Sequence, residues 1–369
     1  MTSHYDVAIV GGGPAGSAAA IRLSQAGYRV ILADHRDPKH PRIGESLIPL
    51  AQSLLAQLKA TQTVRAAGHL PSFGTLSAWG DPALQGKDYI YQLQSEGWQL
   101  DRQLFDQQLR QLAQEQGVLI AEHTRLDDVV QHADGFAARL YRKQQDPQAI
   151  TCRWLIDAGG RPAVLSKQLG AVQQQTDQLL ALYAYADSPT QTDQLASTLV
   201  EAVADGWWYS ALLPSRRRLV VFLTDRDLLP STARVCPQAF QARLAQTQHI
   251  QALLHKHAYQ LDPVVRGANA ASMRLDRAGG ERWLAVGDAA LSFDPLSSKG
   301  IGNALYTGIL AAQSIVHADQ MGQTDCPNYL QQVMRIFAVY QQQLQQFYQL
   351  ETRWSDSVFW QRRQAQRAA

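Results

Sequence analysis

The chain reads as an α/β protein in which a parallel sheet is interrupted by an antiparallel one and closed by C-terminal helices. Three observations predict this class. An apolar run passing straight into glycines opens the sequence, short strand-like runs broken by turn residues fill the middle, and a glutamine-rich stretch with interleaved aromatics ends it. Residues 5–10 form the first run, and residues 11–16 are rich in glycine. Residues 17–26 then carry a helical pattern that Gly27 closes, and residues 29–34 make a second apolar strand. A strand, turn, helix and strand within roughly 30 residues open a Rossmann-like nucleotide-binding unit.

Farther on, residues 105–116 predict a helix, and residues 135–141 and 150–157 predict strands that return to the same sheet. The texture changes near residue 179. Residues 179–187, 198–203, 207–213 and 219–224 are short strands separated by turn signals, as in an antiparallel meander. Residues 283–288 return to a buried strand ending in an acid, and residues 300–317 predict a long helix. In the tail, 328–363, the residues Phe337, Tyr340, Phe347, Tyr348, Trp354, Phe359 and Trp360 recur at helical spacing and predict a helical layer packed on the body. The resulting division gives 1–80, 98–170 and 265–325 to a discontinuous nucleotide-binding domain. It gives 81–97 and 171–264 to a substrate-facing or partner-facing domain, and 326–369 to a C-terminal helical segment.

Composition narrows the function. With 369 residues, 46% of them apolar, the chain can bury a sizeable core, which excludes disorder and a small disulfide scaffold. Lys and Arg number 34 against 32 Asp and Glu, a net charge of +2, so neither nucleic acid nor an anionic membrane surface is expected as a partner. The three cysteines, Cys152, Cys236 and Cys326, lie far apart without metal-ligand spacing; no metal site is expected, and a reducing cytoplasmic setting fits. No run of about 20 apolar residues occurs, so neither a membrane span nor a signal peptide is expected. A monomer is expected.

Chemistry concentrates in glycine-rich turns. Gly11, Gly13 and Gly16, with Pro14 and Ala15 between them, sit where a predicted strand gives way to a helix. Gly11 permits the tight turn, Gly13 lets the backbone approach a pyrophosphate, and Gly16 allows close helix packing. The helix N-terminus then binds the phosphates. Asp34, at the end of the second strand, suits the ribose hydroxyls of an adenosine. A second element favours a flavin over a nicotinamide: Gly287 and Asp288, then Asp294 and Pro295, then Gly300, Ile301 and Gly302 opening a helix. Asp288 at a strand end suits ribityl hydroxyls, while Gly300 and Gly302 place bare N–H groups beside a flavin pyrimidine ring.

These motifs, in this order, resemble those of FAD-dependent monooxygenases of the aromatic hydroxylase and tryptophan halogenase class. They are the N-terminal glycine turn, Arg42-Ile-Gly-Glu-Ser46, Asp157-Ala-Gly-Gly160, and Gly287-Asp288 with Asp294-Pro295. The resemblance spans the whole length. It implies FAD as cofactor and dioxygen as co-substrate, and it adds Arg42, Ser46 and Arg102 to the cofactor-binding residues. NADH, NADPH or another electron donor stays open, because this class binds nicotinamide without a dedicated domain.

Residues 68–74, 77–80, 97–102, 206–210, 351–354 and 359–363 carry a narrower resemblance, to the LodB, GoxB and QhpG type flavoproteins of cysteine tryptophylquinone biogenesis. That likeness implies a protein partner, the precursor of a quinoprotein amine or amino-acid oxidase, with a tryptophan side chain to be hydroxylated. Tryptophan halogenases share Gly44-Glu45-Ser46 and Trp207-Trp208 but have a lysine in the strand corresponding to residues 74–80, where this chain has none. Lys87 is nearby, in a segment that reads as a solvated loop. Hydroxylation or halogenation of a small aromatic molecule is therefore the alternative, and a non-catalytic flavin-containing maturation chaperone is a second.

Hydroxylation of an indole needs little general-base help, because the ring is electron-rich enough to attack an electrophilic oxygen. The protein must instead exclude water and orient the ring. The candidate catalytic residues are accordingly Trp207 and Trp208 as an apolar wall, Lys299 against negative charge at the reduced flavin's edge, and Glu45; His69 lies in a neighbouring motif. Alternation along a strand sends Trp207 and Trp208 to opposite faces. The wall stretch 206–214 holds no fixed charge inside the predicted strand, which suits one indole inserted from a folded protein better than a free amino acid.

Overall fold

A computed structural model of the chain describes residues 2–35, 43–88 and 96–365. Along the first half run β1 (Ser3–Val10), α1 (Pro14–Gln25), β2 (Val30–Asp34), β3 (Gly74–Ala78), β4 (Gln85–Asp88), α2 (Arg102–Glu115), β5 (Leu119–Glu122), β6 (Thr124–His132), β7 (Gly135–Arg142) and β8 (Gln148–Asp157). The second half continues with β9 (Leu179–Asp187), β10 (Thr198–Val203), β11 (Gly206–Leu212), β12 (Arg218–Asp225), α3 (Pro237–Leu244), α4 (His249–Lys256), β13 (Arg266–Asn269), β14 (Trp283–Ala285), α5 (Gly300–Gln320), α6 (Pro327–Gln349) and α7 (Val358–Gln364).

The apolar run of β1 is buried on both faces and becomes the middle of a parallel sheet ordered β14-β8-β1-β2-β5. Val7 sits between Trp154 on one side and Val30 on the other. β6 and β7 form an antiparallel ribbon leading into β8. The second sheet is mostly antiparallel, with β9, β12, β11 and β10 in order and β13 against the outer side of β9. Its far edge is built by β3, parallel to β10, and by β4.

The pairing of this sheet corrects two expectations. Residues 74–80 and 266–269 were assigned with the nucleotide-binding domain, yet β3 and β13 hydrogen-bond into the antiparallel sheet. Both are short, and the strands that join them to the sheet, β10 and β9, lie more than eighty residues away, so no local pattern states which sheet takes them. Lys87 likewise falls on the edge strand β4 rather than in a loop.

Strand alternation divides the antiparallel sheet into two apolar faces. One face, with Trp208 and Phe222, packs on Phe240, Leu244, Ile250 and Leu254 of α3 and α4. The other, with Trp207, Tyr209, Tyr183 and Tyr185, packs against Tyr348, Phe359 and Trp360 of the C-terminal helices. Phe337 and Tyr340 are also buried, whereas Phe347 is exposed and Trp354 half-buried, so the tail is chiefly packed core.

α1 lies against α5 at a separation only small residues allow. A Cβ on Gly308 would stand 2.2 Å from the Ala15 carbonyl oxygen and 3.1 Å from the Ala18 methyl. One on Gly287 would meet the Ala15 methyl at 2.8 Å. Gly308→Val should therefore force the helices apart, lowering stability by about 3 kcal/mol. Urea unfolding should show a lower midpoint at unchanged slope; an unchanged midpoint would refute the tight contact.

Candidate functional site

Parallel pairing puts the ends of β1, β2, β8 and β14 along one edge of the sheet, and the predicted motifs meet there. Gly11 adopts φ +105°, and its missing Cβ would stand 2.3 Å from the Ala158 carbonyl oxygen. The two turns are tied by the Gly11 N–H donating to Ala33 and the Ala158 N–H donating to Val10, each at 2.8 Å. A Cβ on Gly16 would fall 1.9 Å from the Gly11 carbonyl oxygen. Glycine at both places is a packing requirement. Asp157 serves this turn structurally: its carboxylate accepts from the Gly159 N–H and from the Ser166 N–H and hydroxyl.

Two helix ends are presented at this edge. α1 begins after Gly13 with Pro14 in its first turn, no side-chain cap and no acid. α5 begins after Lys299, again with no side-chain cap and no acid in the first turn. Bare N–H groups and the helix dipole make both ends attractive to an anion or a carbonyl oxygen. At Gly300 and Gly302 a Cβ would meet nothing within 4 Å among the described residues. Arg102 donates to the Gly44 carbonyl at 2.7 Å and pairs with Asp106 at 3.3 Å, while its buried Nε lacks a hydrogen-bond partner. A pyrophosphate against α1 and a flavin ring edge against α5 suit this set of donors, with Asp34 buried at the end of β2 for the adenosine end. The residues present therefore fit FAD.

Behind α5, Asp294 is fully enclosed. Its carboxylate accepts from the Leu296 N–H at 2.9 Å and from the Tyr348 hydroxyl at 2.7 Å, and Tyr348 in turn accepts from the Trp207 indole N–H at 3.1 Å. Burial, reinforced by the Asp177 charge, pushes the Asp294 carboxyl up to about 6. Lys299 is hydrogen-bonded to Gln343 of α6, and burial lowers its pKa.

Above these turns lies the aromatic face of the antiparallel sheet. Pairing across β11, β12, β9 and β13 sets Tyr209, Val221, Tyr183 and Arg266 in one row, with Tyr185 in the next. Glu45 is buried nearby: the Gly44 N–H donates to it at 2.9 Å, and burial raises its carboxyl pKa. Burial also raises the Tyr185 and Tyr209 hydroxyls, and the neighbouring Glu45 charge adds to both shifts.

The predicted residues divide accordingly. Gly11, Gly13, Pro14, Ala15, Gly16 and Asp34 share the first turn and its surroundings; Gly287, Pro295, Gly300, Ile301 and Gly302 share the second. Ile301 is buried in the core. Asp288 faces Arg161 at 3.6 Å, and the Ser46 hydroxyl donates to Gln99 at 3.0 Å. Arg42 lies outside the described residues. His69 accepts from the Asp101 N–H, and burial lowers its pKa.

Trp208 is a correction: it stacks on Phe222 at 4.8 Å and meets Phe240 edge-on at 5.0 Å, on the side away from the turns. Residue-to-residue alternation leaves Trp207 alone on the other face. Sequence reasoning missed Arg161, which donates to the Ala271 and Phe293 carbonyls, and also Tyr183, Tyr185 and Arg266. The spacing of Tyr183 and Tyr185 by two residues was a readable sign of a shared strand face; Arg266 had none.

Comparison with known proteins agrees with this fold. The FAD binding domain family model matches residues 4–314. LodB of Marinomonas mediterranea, assigned as an FAD-dependent oxidoreductase, is 30% identical over 363 residues, covering 98% of this chain and 97% of its own. The tryptophan 2-halogenase of Chondromyces crocatus is 25% identical over 329 residues, 85% of this chain and 62% of that protein. Among solved structures, the flavin-dependent halogenase CmlS superposes with a TM-score of 0.84 at 25% identity, over 98% of this chain and 68% of that one. A peptidyl tryptophan dihydroxylase essential for tryptophylquinone cofactor biogenesis, QhpG, does so at 0.78 and 24% identity, over 98% and 79%.

Two outcomes follow from the site. Gly302→Leu should leave the folded protein at least as stable, since the side chain enters open space and leucine favours helix by about 0.8 kcal/mol. Flavin absorbance retained on purification should fall sharply; full retention would place the ring elsewhere. Asp294, with its folded pKa raised, binds its proton more tightly when folded, so its contribution to stability is present below about pH 4 and lost as pH rises through about 6. Asp294→Asn should therefore gain stability relative to the parent between pH 4 and 7 in paired unfolding curves, and a constant difference would contradict the buried, titrating carboxyl.

Proposed function

This chain belongs to the FAD-binding domain family, and from that premise we propose that it hydroxylates a tryptophan side chain of a partner protein. The partner is the precursor of a quinoprotein amine or amino-acid oxidase, and the modification is a step in cysteine tryptophylquinone biogenesis. The chain is an enzymatic flavoprotein with FAD as its cofactor. Bound and reduced, FAD supplies the activation of dioxygen for transfer of an oxygen atom. Gly11 to Gly16 with α1 would hold its pyrophosphate, Asp34 its ribose, and the start of α5 its ring edge.

The observation that carries the reading is the aromatic sheet face over the turns. Tyr183, Tyr185, Tyr209 and Trp207 form a nearly dry wall, and the nearby carboxyl of Glu45 is biased toward neutrality by burial. Such a wall orients an electron-rich ring and keeps water from the reacting centre. Aligned relatives support the class of substrate: LodB matches this chain over nearly the full length of both, and QhpG, a peptidyl tryptophan dihydroxylase, has the same fold.

Halogenation of a small aromatic is the second reading, favoured by the tryptophan 2-halogenase and other halogenase relatives. Against it, β3 and the two residues after it, the place of the halogenase lysine, hold no lysine. Incubation of the reduced holoprotein with dioxygen and a tryptophan-containing precursor should add the mass of one or two oxygen atoms to a single tryptophan. Halide-dependent mass gain on a free aromatic, with the precursor unmodified, would overturn the proposal. Flavin that neither NADH, NADPH nor dithionite bleaches anaerobically would instead favour a binding-only protein.

A further inference from the structure

We propose that Arg266 forms an anion subsite beside the aromatic wall, so that the ring this protein accepts carries a carboxylate next to it. The inference rests on the reading that the tyrosine face is the substrate site. Arg266 lies in register with Tyr183, its guanidinium 6.0 Å from the centre of the Tyr185 ring, on the same face as the partly buried Ala268. Its Nη1 is shut off from solvent and has no hydrogen-bond partner. No ion pair to Arg266 occurs among the described residues, whereas the two buried guanidinium groups, those of Arg218 and Arg363, are each matched by a carboxylate. Arg218 pairs with Asp193 at 2.6 Å, and Arg363 with Asp225 at 2.7 Å.

Arg217 provides the sharpest contrast. It covers the same Tyr185 ring at 5.0 Å, yet it is neutralised by Asp187 at 2.8 Å and Asp262 at 3.6 Å. Two cations flank one ring, and among the described residues only Arg217 has a counter-charge against it. A buried charged donor without a partner is costly, and a ligand carboxylate would remove that cost with a charge-assisted hydrogen bond. Glu45 does not fill the role: it is held by the Gly44 N–H, and burial disfavours its charge. The wall thus selects an aromatic ring and Arg266 selects an acid attached to it. A free indole acid and an Asp or Glu neighbouring a tryptophan in a protein both present that chemistry.

The test uses the oxidised holoprotein and follows perturbation of the flavin absorption bands. Indole-3-acetate is titrated against the neutral indole-3-acetamide, and a capped Trp-Glu peptide against its Trp-Gln counterpart. Acid should bind about ten- to a hundredfold more tightly than amide in at least one pair. The pair that discriminates identifies the source, small acid or acidic peptide. Arg266→Met should abolish the difference, Arg266→Lys should restore part of it, and Arg217→Met should leave it intact. Equal binding of acid and amide, or discrimination that survives Arg266→Met, overturns the Arg266 subsite alone. Failure of every aromatic probe to perturb the flavin overturns the placement of the substrate face as well.

Discussion

The approach of α1 to α5 is the constraint on which the rest depends. Each helix starts at the end of a parallel strand and each offers bare backbone donors there, so the two ends serve one extended ligand only if the helices nearly touch. Gly308 and Gly287 against Ala15 and Ala18 make that possible, because even one added Cβ would fall 2.2 Å from a carbonyl oxygen. Gly11 and Gly16 repeat the logic inside the first turn. The glycines at this site therefore divide by physical role: several exist for packing, while Gly300 and Gly302 face open space and leave the backbone accessible to a ligand.

The antiparallel sheet obeys a different constraint, the two-residue repeat of a strand. It has apolar layers on both faces, so neighbours with the same side chain can have unrelated roles. Trp208 fills a dry pocket between Phe222 and Phe240; Trp207, one residue earlier, hydrogen-bonds to Tyr348 and thereby joins the network that reaches Asp294. Substitution at either tryptophan would reduce stability, but of the two only Trp207 is connected, through Tyr348, to Asp294 ahead of α5.

Local signals made the parallel half of the fold legible. A buried strand followed by a glycine turn and a small-residue helix is written in consecutive residues, and the structure extends the predicted helices by only a few residues at their ends. The four central strands of the meander were equally plain, since apolar runs and turn residues alternate along them. What was not legible is what depends on distant pairing. β3 and β13 have too few residues to declare a sheet, Arg161 gains its place only when the Ala271 and Phe293 carbonyls come near, and Arg266 acquires meaning only from its register with Tyr183. Residues 206–214 carry no charge, but the face as a whole does, because Arg266 comes from β13, on the far side of β12 and β9 from that strand.

The C-terminal segment fixes the distance between the two halves. Glu351, fully buried, accepts from the Gly80 N–H just beyond β3, and Arg353 donates to the Ala78 carbonyl. The Trp360 indole donates to Val203 at the end of β10, and Arg363 pairs with Asp225 at the end of β12. On the other side, Tyr348 reaches Asp294, Tyr340 accepts from the Asp294 N–H, and Lys299 is held by Gln343. A sheet tied only through its own strands could take many positions over the glycine turns; tied at Gly80, Val203 and Asp225 to helices that also grip the start of α5, it is held in register with them. The tail aromatics, spaced for a helical layer packed on the body, are thus the internal brace between the tyrosine face and the glycine turns, and burying them is what makes that geometry reproducible from molecule to molecule.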